Sequence, residues 1–580
     1  MKLPDAVPAG FEVLGSAEVF VHGHLPLAAA FCRRLGLVEL VNRLVPSQMA
    51  VSPGLVVQAM VLNTLSGRTP LYHLENFLSE LDLELLLGEP VDAHAFNDTN
   101  LARSLDAIFE AGPSKIVTEL GLQAAKIFSL DASVPSYDTT STSVWGDYAA
   151  CENEDDPVPG PRIVYGHSKD HQPELKQFMT ELMCVDRGVP IFGRTLDGNS
   201  SDKKSNNQML TEISRLMARH GLGPGAFVYV TDSAMVTEDN LQAVGPNRFV
   251  TRLPANYKEC DLAIARAVDA AAWVEIGALA EETKGKLRPC AIYKVFETQV
   301  NLYGKDYRAV VVHSTSHDRR RQKKLDKAVT ASEKKIAAEL AKLPKHYFCE
   351  ADAKAAAATA EKLSGGLHSV SASVREVKVR RRGRPPKNGP VPMDTQYELD
   401  FKTSVNTASL EKERSLAGCF VLITNVPTTG DGAMDATGIL RTYKGQYGVE
   451  SDFAFLKDPL VVNDIFLKKP SRIDALGMVL IIALMAWRLM ERSMRAHVEN
   501  TKATLPGWDR KETRKPTFYM MTWMISKIIV AKTPTHRVLL SSLGSTETAY
   551  LLALGLDSSA FTNPKSFCTP IIPGKITAKG

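Results

Sequence analysis

Near the start of the chain, apolar residues recur at helical spacing over 26–45 and 53–65, as a helix with one buried face requires. A short extended segment, Phe11 to Val21, precedes them. Asp98-Thr99 caps NLARSLDAIFEAG, which stops at Gly112, a residue type that readily ends helices. Residues 1–125 therefore predict a mostly helical domain, with reading of DNA ends as its sharper role. From 126 the period shortens. Segments 126–130, 136–144, 177–185 and 190–196 predict strands, the last two joined by the turn Asp186-Arg187-Gly188. Ser200-Ser201-Asp202 caps a helix that places Leu210, Ile213, Leu216 and Met217 on one face. AFVYVTD (226–232), a helix over 238–244 and a strand at 249–251 follow. Strands followed by alternating helix and strand describe an α/β sheet covered by helices.

Between 256 and about 430 that rhythm breaks. Segments 291–296 and 307–313 predict strands, 318–343 a long charged helix and 350–363 an alanine-rich helix. The basic run VREVKVRRRGRPPKNGP and the strand CFVLITN (419–425) come next. An interruption this long is more economically an α+β subdomain than a loop. The α/β pattern resumes with a helix from Asp435 through Lys457 and another from Ser471 to about Arg495, so 126–255 and 431–500 make two parts of one core. Residues 501–580 predict a linker and short helices. There is no internal repeat.

Composition narrows the class. Of 580 residues, 44% are apolar and 23% charged, which excludes global disorder. The net charge of +4 is too small to imply a nucleic-acid partner, so any basic face must come from local clustering. Eight cysteines stand singly with no C-x-x-C, which argues against a zinc ribbon or disulfide framework and for a reducing compartment. MKLPDAVPAGFEVLG lacks the basic start and apolar run of a signal peptide. The most apolar stretch, 478–487, is half the length of a membrane span. A soluble, cytoplasmic chain without a membrane partner is expected.

No P-loop, dinucleotide fingerprint or G-x-S-x-G occurs. Asp138 lies within an early strand and Asp232 where an apolar strand meets a turn. A lone aspartate of this kind is usually a turn former, so a third partner is needed. TYKGQYGVESDFAFLKDP supplies a candidate: at about 100° per residue, Tyr443, Gln446, Glu450 and Lys457 fall on one helical stripe. Alone, that stripe also fits a solvated helix face with an ion pair. Gly445 and Gly448 each cost about 1 kcal/mol in a helix interior and make its start irregular. Asp131 and Asp147 are alternative carboxylates. His167-x3-His171 with Glu174 would suit zinc only on a helix, which Gly166 and Pro173 disfavour.

The stripe resembles Y-x2-R-x3-E-x6-K, the signature of a large group of bacterial insertion-sequence transposases with a DDE triad, with Gln446 in place of the arginine. YDTTSTSVWGDY (137–148), GHSKDHQPELKQF (166–178), LDGNSSD (196–202), VTDSAMVTEDNL (230–241) and FVTRLP (249–254) resemble other segments of that group, in the same order. The resemblance implies an RNase H-like mixed sheet flanked by helices, with Asp138, Asp232 and Glu450 as catalytic, metal-binding residues. It also implies that 256–430 is an insertion between the second aspartate and the glutamate. Two Mg²⁺ or Mn²⁺ ions would serve an in-line displacement at phosphorus, in which water frees a 3′-OH that then joins target DNA. Tyr443, Gln446, Lys457 and Lys169 would contact DNA, and two chains would pair on two DNA ends. A metal-dependent nuclease without strand transfer and a non-catalytic DNA-binding descendant are the alternatives.

Two basic clusters add to this picture. Arg319-Arg320-Arg321 with Lys323-Lys324 opens the long helix. Arg382-Gly-Arg384-Pro matches the core of an AT-hook, an extended segment whose arginines enter narrow minor grooves; a solvated basic linker is the plainer alternative. Arg382 and Arg384 are the candidate DNA contacts here, which would place the protein on the nucleoid.

Overall fold

The computed structural model describes residues 17–574 apart from 68, 153–157, 170, 280–289, 383–390, 392 and 459–466. The architecture is mixed α/β and divides into two compact units. The first comprises Met1–Thr251, Thr429–Ala433 and Thr442–Gly580; the second comprises Arg252–Thr428 and Met434–Arg441.

The first unit begins with a short strand, β1 (Glu18–Phe20), and helices that include Leu25–Leu35, Pro53–Leu65, Asp98–Ala111 and Pro113–Phe128. Pro53 and Pro113 sit in the first turn, where a missing N–H costs nothing. The Asn97 side chain caps Asp98–Ala111 by accepting from the Asn100 N–H at 3.1 Å. The strand expected over 126–130 is not formed. The helix begun at Pro113 carries Ile116, Val117, Leu120, Ala124 and Phe128 on its buried face, and runs on until Ser129 turns left-handed at φ 49°. Burying the Phe128 ring against Phe31, 5.8 Å between centroids, decides the segment for helix.

Five strands follow: β2 (Ser136–Val144), β3 (Lys176–Val185), β4 (Val189–Leu196), β5 (Val228–Thr231) and β6 (Arg248–Arg252), side by side in the order β4-β3-β2-β5-β6. β2, β3 and β4 are antiparallel; β5 runs parallel to β2, and β6 parallel to β5. The β3–β4 turn takes positive φ at Asp186, Arg187 and Gly188, the backbone that tight hairpins demand.

The helix expected from Ser471 to about Arg495 spans Pro470–Thr501, 32 residues. Among the described residues it alone is long and apolar enough to cross a membrane, yet 89% of its apolar window is buried inside the protein. It packs on β4 and on helices Pro53–Leu65, Asp98–Ala111 and Pro113–Phe128, sharing one core with them. Each fully buried Leu, Ile or Met there contributes roughly 1.5–3 kcal/mol. Its buried Arg492 is satisfied by Asp186 Oδ2 at 2.8 Å and the Phe128 carbonyl at 3.1 Å. The C-terminal region holds strands as well as short helices: Leu505–Pro506 pairs with Glu512–Thr513, and Val530–Lys532 lies between β1 and Arg537–Leu539.

The second unit has two sheets. β7 (Val274–Ala278), β8 (Ile292–Leu302) and β9 (Lys305–Ser314) precede helix Thr315–Leu340, of which only Ile336 is buried. β10 (His346–Tyr347), helix Glu350–Glu361, β11 (His368–Arg380), β12 (Met393–Val405) and β13 (Cys419–Thr424) also belong to it, with helices Lys258–Ala270 and Thr407–Leu416. One sheet runs β13-β9-β8-β7, the other β10-β12-β11, all antiparallel. The basic run after 374 is thus half strand. Val374–Arg380 belong to β11, and residues 383–390, which include the prolines, lie outside the described residues.

Candidate catalytic carboxylate site

β2 and β5 lie side by side in parallel with Ser136 opposite Val230. Two residues on along each strand come Asp138 and Asp232, so the pleat directs both to the same face at neighbouring positions. Asp138 is inside β2. Asp232 follows the last residue of β5 and accepts from the Ala234 N–H at 3.1 Å.

Burial pushes the Asp138 carboxyl up to about 7, and the charge of Asp232 adds to the rise; Lys169 and the Thr139 N–H, 2.7 Å from Oδ1, oppose it. Asp232 is also raised, by burial and then by Asp202, with the Ala234 N–H and Lys169 opposing. Two half-desolvated carboxylates that repel each other form a hard-oxygen donor set whose strain a divalent cation would relieve. They are two hard-oxygen donors of the kind such an ion takes, without a third grouped with them among the described residues.

Lys169 belongs to the loop before β3. Its Nζ donates to the Thr139 carbonyl at 2.8 Å and to Thr139 Oγ1 at 3.0 Å, and pairs with Asp202 Oδ2 at 3.1 Å. Asp202 opens helix Asp202–Arg219 and its Oδ1 accepts from Thr139 Oγ1 at 2.6 Å. Lys169 is thus held within the site, where it offsets carboxylate charge. Asp202 had shown only its capping role in the sequence; its sole other signal was its place in LDGNSSD.

The continuous helix expected from Asp435 through Lys457 is broken in two, Ala436–Gly445 and Tyr447–Leu456. Gln446 lies between them with φ −57° and ψ −20°. Its N–H donates to the Tyr443 carbonyl at 3.2 Å, and the Val449 N–H donates to its carbonyl at 3.0 Å, the tighter i→i+3 pattern. The glycines at 445 and 448 are the reason legible in the sequence. Tyr443 and Lys457 are half-buried, Gln446 is buried and Glu450 is exposed.

Asp452 fixes where the Glu450 helix lies. Its Oδ2 accepts from Cys184 Sγ at 3.3 Å, and Cys184 stands opposite Ser136 across β2–β3. Opposed residues share a sheet face, so the helix covers the face that bears Asp138 and Asp232. The Cys184 thiol is held well above its usual range by burial, then by Asp452, with Asp138 also acting on it. Arg488 of the long helix pairs with Asp452, and with Glu491 at 2.8 Å. Burial raises Asp452 to about 7 against that guanidinium. Nothing in the sequence marks either residue: Asp452 ends the polar run Glu450-Ser451-Asp452, and Arg488 follows an apolar stretch of the long helix.

The structure thus brings Asp138 and Asp232 together, with Lys169 beside them and the Glu450 helix on the same face. Among the described residues, no three His, Cys, Asp or Glu side chains form a ready-made metal-holding group. Asp131 makes a turn, accepting from the Ser133 N–H at 2.9 Å, and Asp147 is exposed. His171 is left-handed at φ 58°, so His167 and His171 share no helix. Arg382 is exposed just past β11; Arg384 lies outside the described residues.

Residues 18–122 match a family model described as Domain of unknown function (DUF4277). A search of curated proteins finds no match to the chain.

Proposed function

We propose that this protein is a DNA transposase that binds the ends of an insertion sequence, cleaves them and joins the 3′-OH ends to target DNA. The observation that carries this reading is that Asp138 and Asp232 each lie two residues beyond the Ser136–Val230 register pair of the parallel β2 and β5, on the sheet face that the helix bearing Glu450 covers. Three antiparallel strands followed by two parallel ones support an RNase H-like sheet, the frame that the motif resemblance implies. The match over 18–122 is to a domain found in transposase-like proteins, which supports a transposase in general and does not bear on the DDE triad.

On this reading Asp138, Asp232 and Glu450 hold the metal. Mg²⁺ or Mn²⁺ ions there would supply activation of the attacking oxygen and stabilisation of the leaving one. The chain's own residues do the rest. Lys169 keeps the carboxylates from losing their ionised form, and Thr139 and Asp202 keep Lys169 in place. Glu450, exposed on its helix, would complete the ligand set. Tyr443 and Lys457 contact phosphates beside the triad, with Gln446 behind them at the helix junction. Two copies pair when two DNA ends are held, and the protein works on the nucleoid in the cytoplasm.

The test is to incubate the full chain with Mg²⁺ and duplexes carrying the DNA that flanks its gene, some pre-cut at the element boundary. Cutting and joining support the proposal. Cutting without joining of pre-cut ends identifies a nuclease instead. DNA binding with no divalent-dependent cleavage identifies a non-catalytic descendant.

A further inference from the structure

β11 and β12 form a two-stranded ribbon of 13 residues each, paired rung by rung from His368–Val405 to Arg380–Met393. At about 3.4 Å per residue, it is roughly 40 Å long. Helix Glu350–Glu361 packs on its base, where His368 and Val370 are buried. The outer rungs are different: Lys378, Val379, Arg380, Arg381, Arg382, Met393, Asp394 and Thr395 are all exposed.

Alternation sorts the charges of these outer rungs onto two faces. On one, Arg375 pairs with Glu398 at 2.7 Å and with Asp400 at 3.6 Å, and Arg381 pairs with Asp394 at 3.2 Å. That face is neutralised within the ribbon. On the other, Lys378 and Arg380 stand at alternate positions opposite Thr395 and Met393, and the exposed Arg382 follows just past the strand end; among the described residues Glu376 is the one acid on that face of β11. Charges that merely keep an exposed ribbon from pairing with another chain need no sorting by face. A one-sided cationic row on an exposed ribbon instead suits a polyanion of regular shape, and the B-DNA major groove admits a two-stranded ribbon.

We infer that the outer part of the β11–β12 ribbon is a DNA-binding arm that lays its Lys378–Arg380–Arg382 face on duplex phosphates. This inference rests on the transposase reading and deepens it by naming a DNA-holding surface that belongs to the second unit. It needs no cleavage to be tested.

The experiment uses the full chain in EDTA and measures affinity for a fluorescent duplex by anisotropy across a salt series. A K378A/R380A/R382A variant is compared with an R375A/R381A variant of the opposite face, and circular dichroism checks that both are folded. Each lost phosphate contact lowers the slope of log K against log salt by about 0.9. The first variant is expected to lose a slope of about 2–3 and to bind at least tenfold more weakly near 0.1 M salt. The second is expected to match the unchanged protein. Equal affinity and slope in all three proteins would overturn the inference, as would equal losses in the two variants. Loss of binding to anionic phospholipid vesicles, with duplex binding intact, would also overturn it and identify a membrane surface instead. Because no metal is present, failure here leaves the cleavage chemistry standing, and failure of cleavage leaves this result standing.

Discussion

Asp138, inside β2, and Asp232, the residue that follows the parallel β5, each lie two residues beyond the Ser136–Val230 register pair. Mutual repulsion adds to burial in raising Asp138 to about 7. A carboxyl raised in the folded state costs stability as pH climbs from its unfolded value toward the folded one. Asp138→Asn removes that cost. Without divalent ions, the variant should melt higher than the unchanged protein at pH 8, by about 2 °C or more, and the difference should vanish near pH 4. The same variant should lose divalent-dependent cleavage by more than about 100-fold, the loss that changes to outer-shell partners can reach. Calorimetry at the two pH values checks the first outcome and a nicking assay the second.

Arg488 joins the long core helix to the helix of Glu450 through Asp452, which is 0% exposed. Arg488→Ala leaves Asp452 buried beside Cys184 and Glu491 without its guanidinium. Breaking a buried pair in this way costs about 3–5 kcal/mol, which a urea titration should read. An added Asp452→Asn change should recover part of that loss, because the stranded charge is then gone.

Gly121 lets helix Pro113–Phe128 lie against β4. A Cβ there would stand 2.5 Å from the Ile191 carbonyl oxygen and 2.8 Å from the Ile191 Cα, both backbone atoms that cannot swing aside. Alanine favours helix by about 1 kcal/mol over glycine, yet Gly121→Ala should destabilise by about 1–3 kcal/mol. A lowered melting temperature with an unchanged helical signal is the expected result.

His24 is held neutral. Burial lowers it from 6.5 to about 4, against the Leu65 carbonyl, which lies 2.9 Å from Nε2. An imidazole depressed in the folded state takes up its proton more readily when unfolded, so stability is intact above pH 6.5 and falls as pH drops toward 4. His24→Gln should flatten the melting-temperature profile across that window.

Much of this architecture is legible from periodicity and turn chemistry, because those signals are local. The β3–β4 turn shows in Asp186-Arg187-Gly188, and the break in rhythm at 256 falls close to Arg252, where the second unit begins. Long-range packing decides the rest. Lys126–Phe128 has strand-like composition, but the Phe128 ring is claimed by a helical core. The stripe from Tyr443 to Lys457 fits an ideal helix, but Gly445 and Gly448 break it at Gln446. The β11–β12 ribbon hides behind a basic run whose charges mask its alternation. At the site, Asp232 stands out because it ends the apolar strand VYVT, whereas Asp138 lies in the polar strand SYDTTSTSV and stands out through the motif resemblance. Asp202, Asp452 and Arg488 matter only through partners far along the chain, and spacing carries no trace of them.

The most direct test of the central claim is divalent-dependent cleavage of an end-bearing duplex by the unchanged protein and by Glu450→Gln, with DNA affinity measured in parallel. Cleavage that requires Mg²⁺ or Mn²⁺ and falls below detection in the variant, with end binding within about twofold, is the predicted result. Cleavage by Glu450→Gln at the unchanged rate would contradict the assignment of that carboxylate, and with it the account of the site.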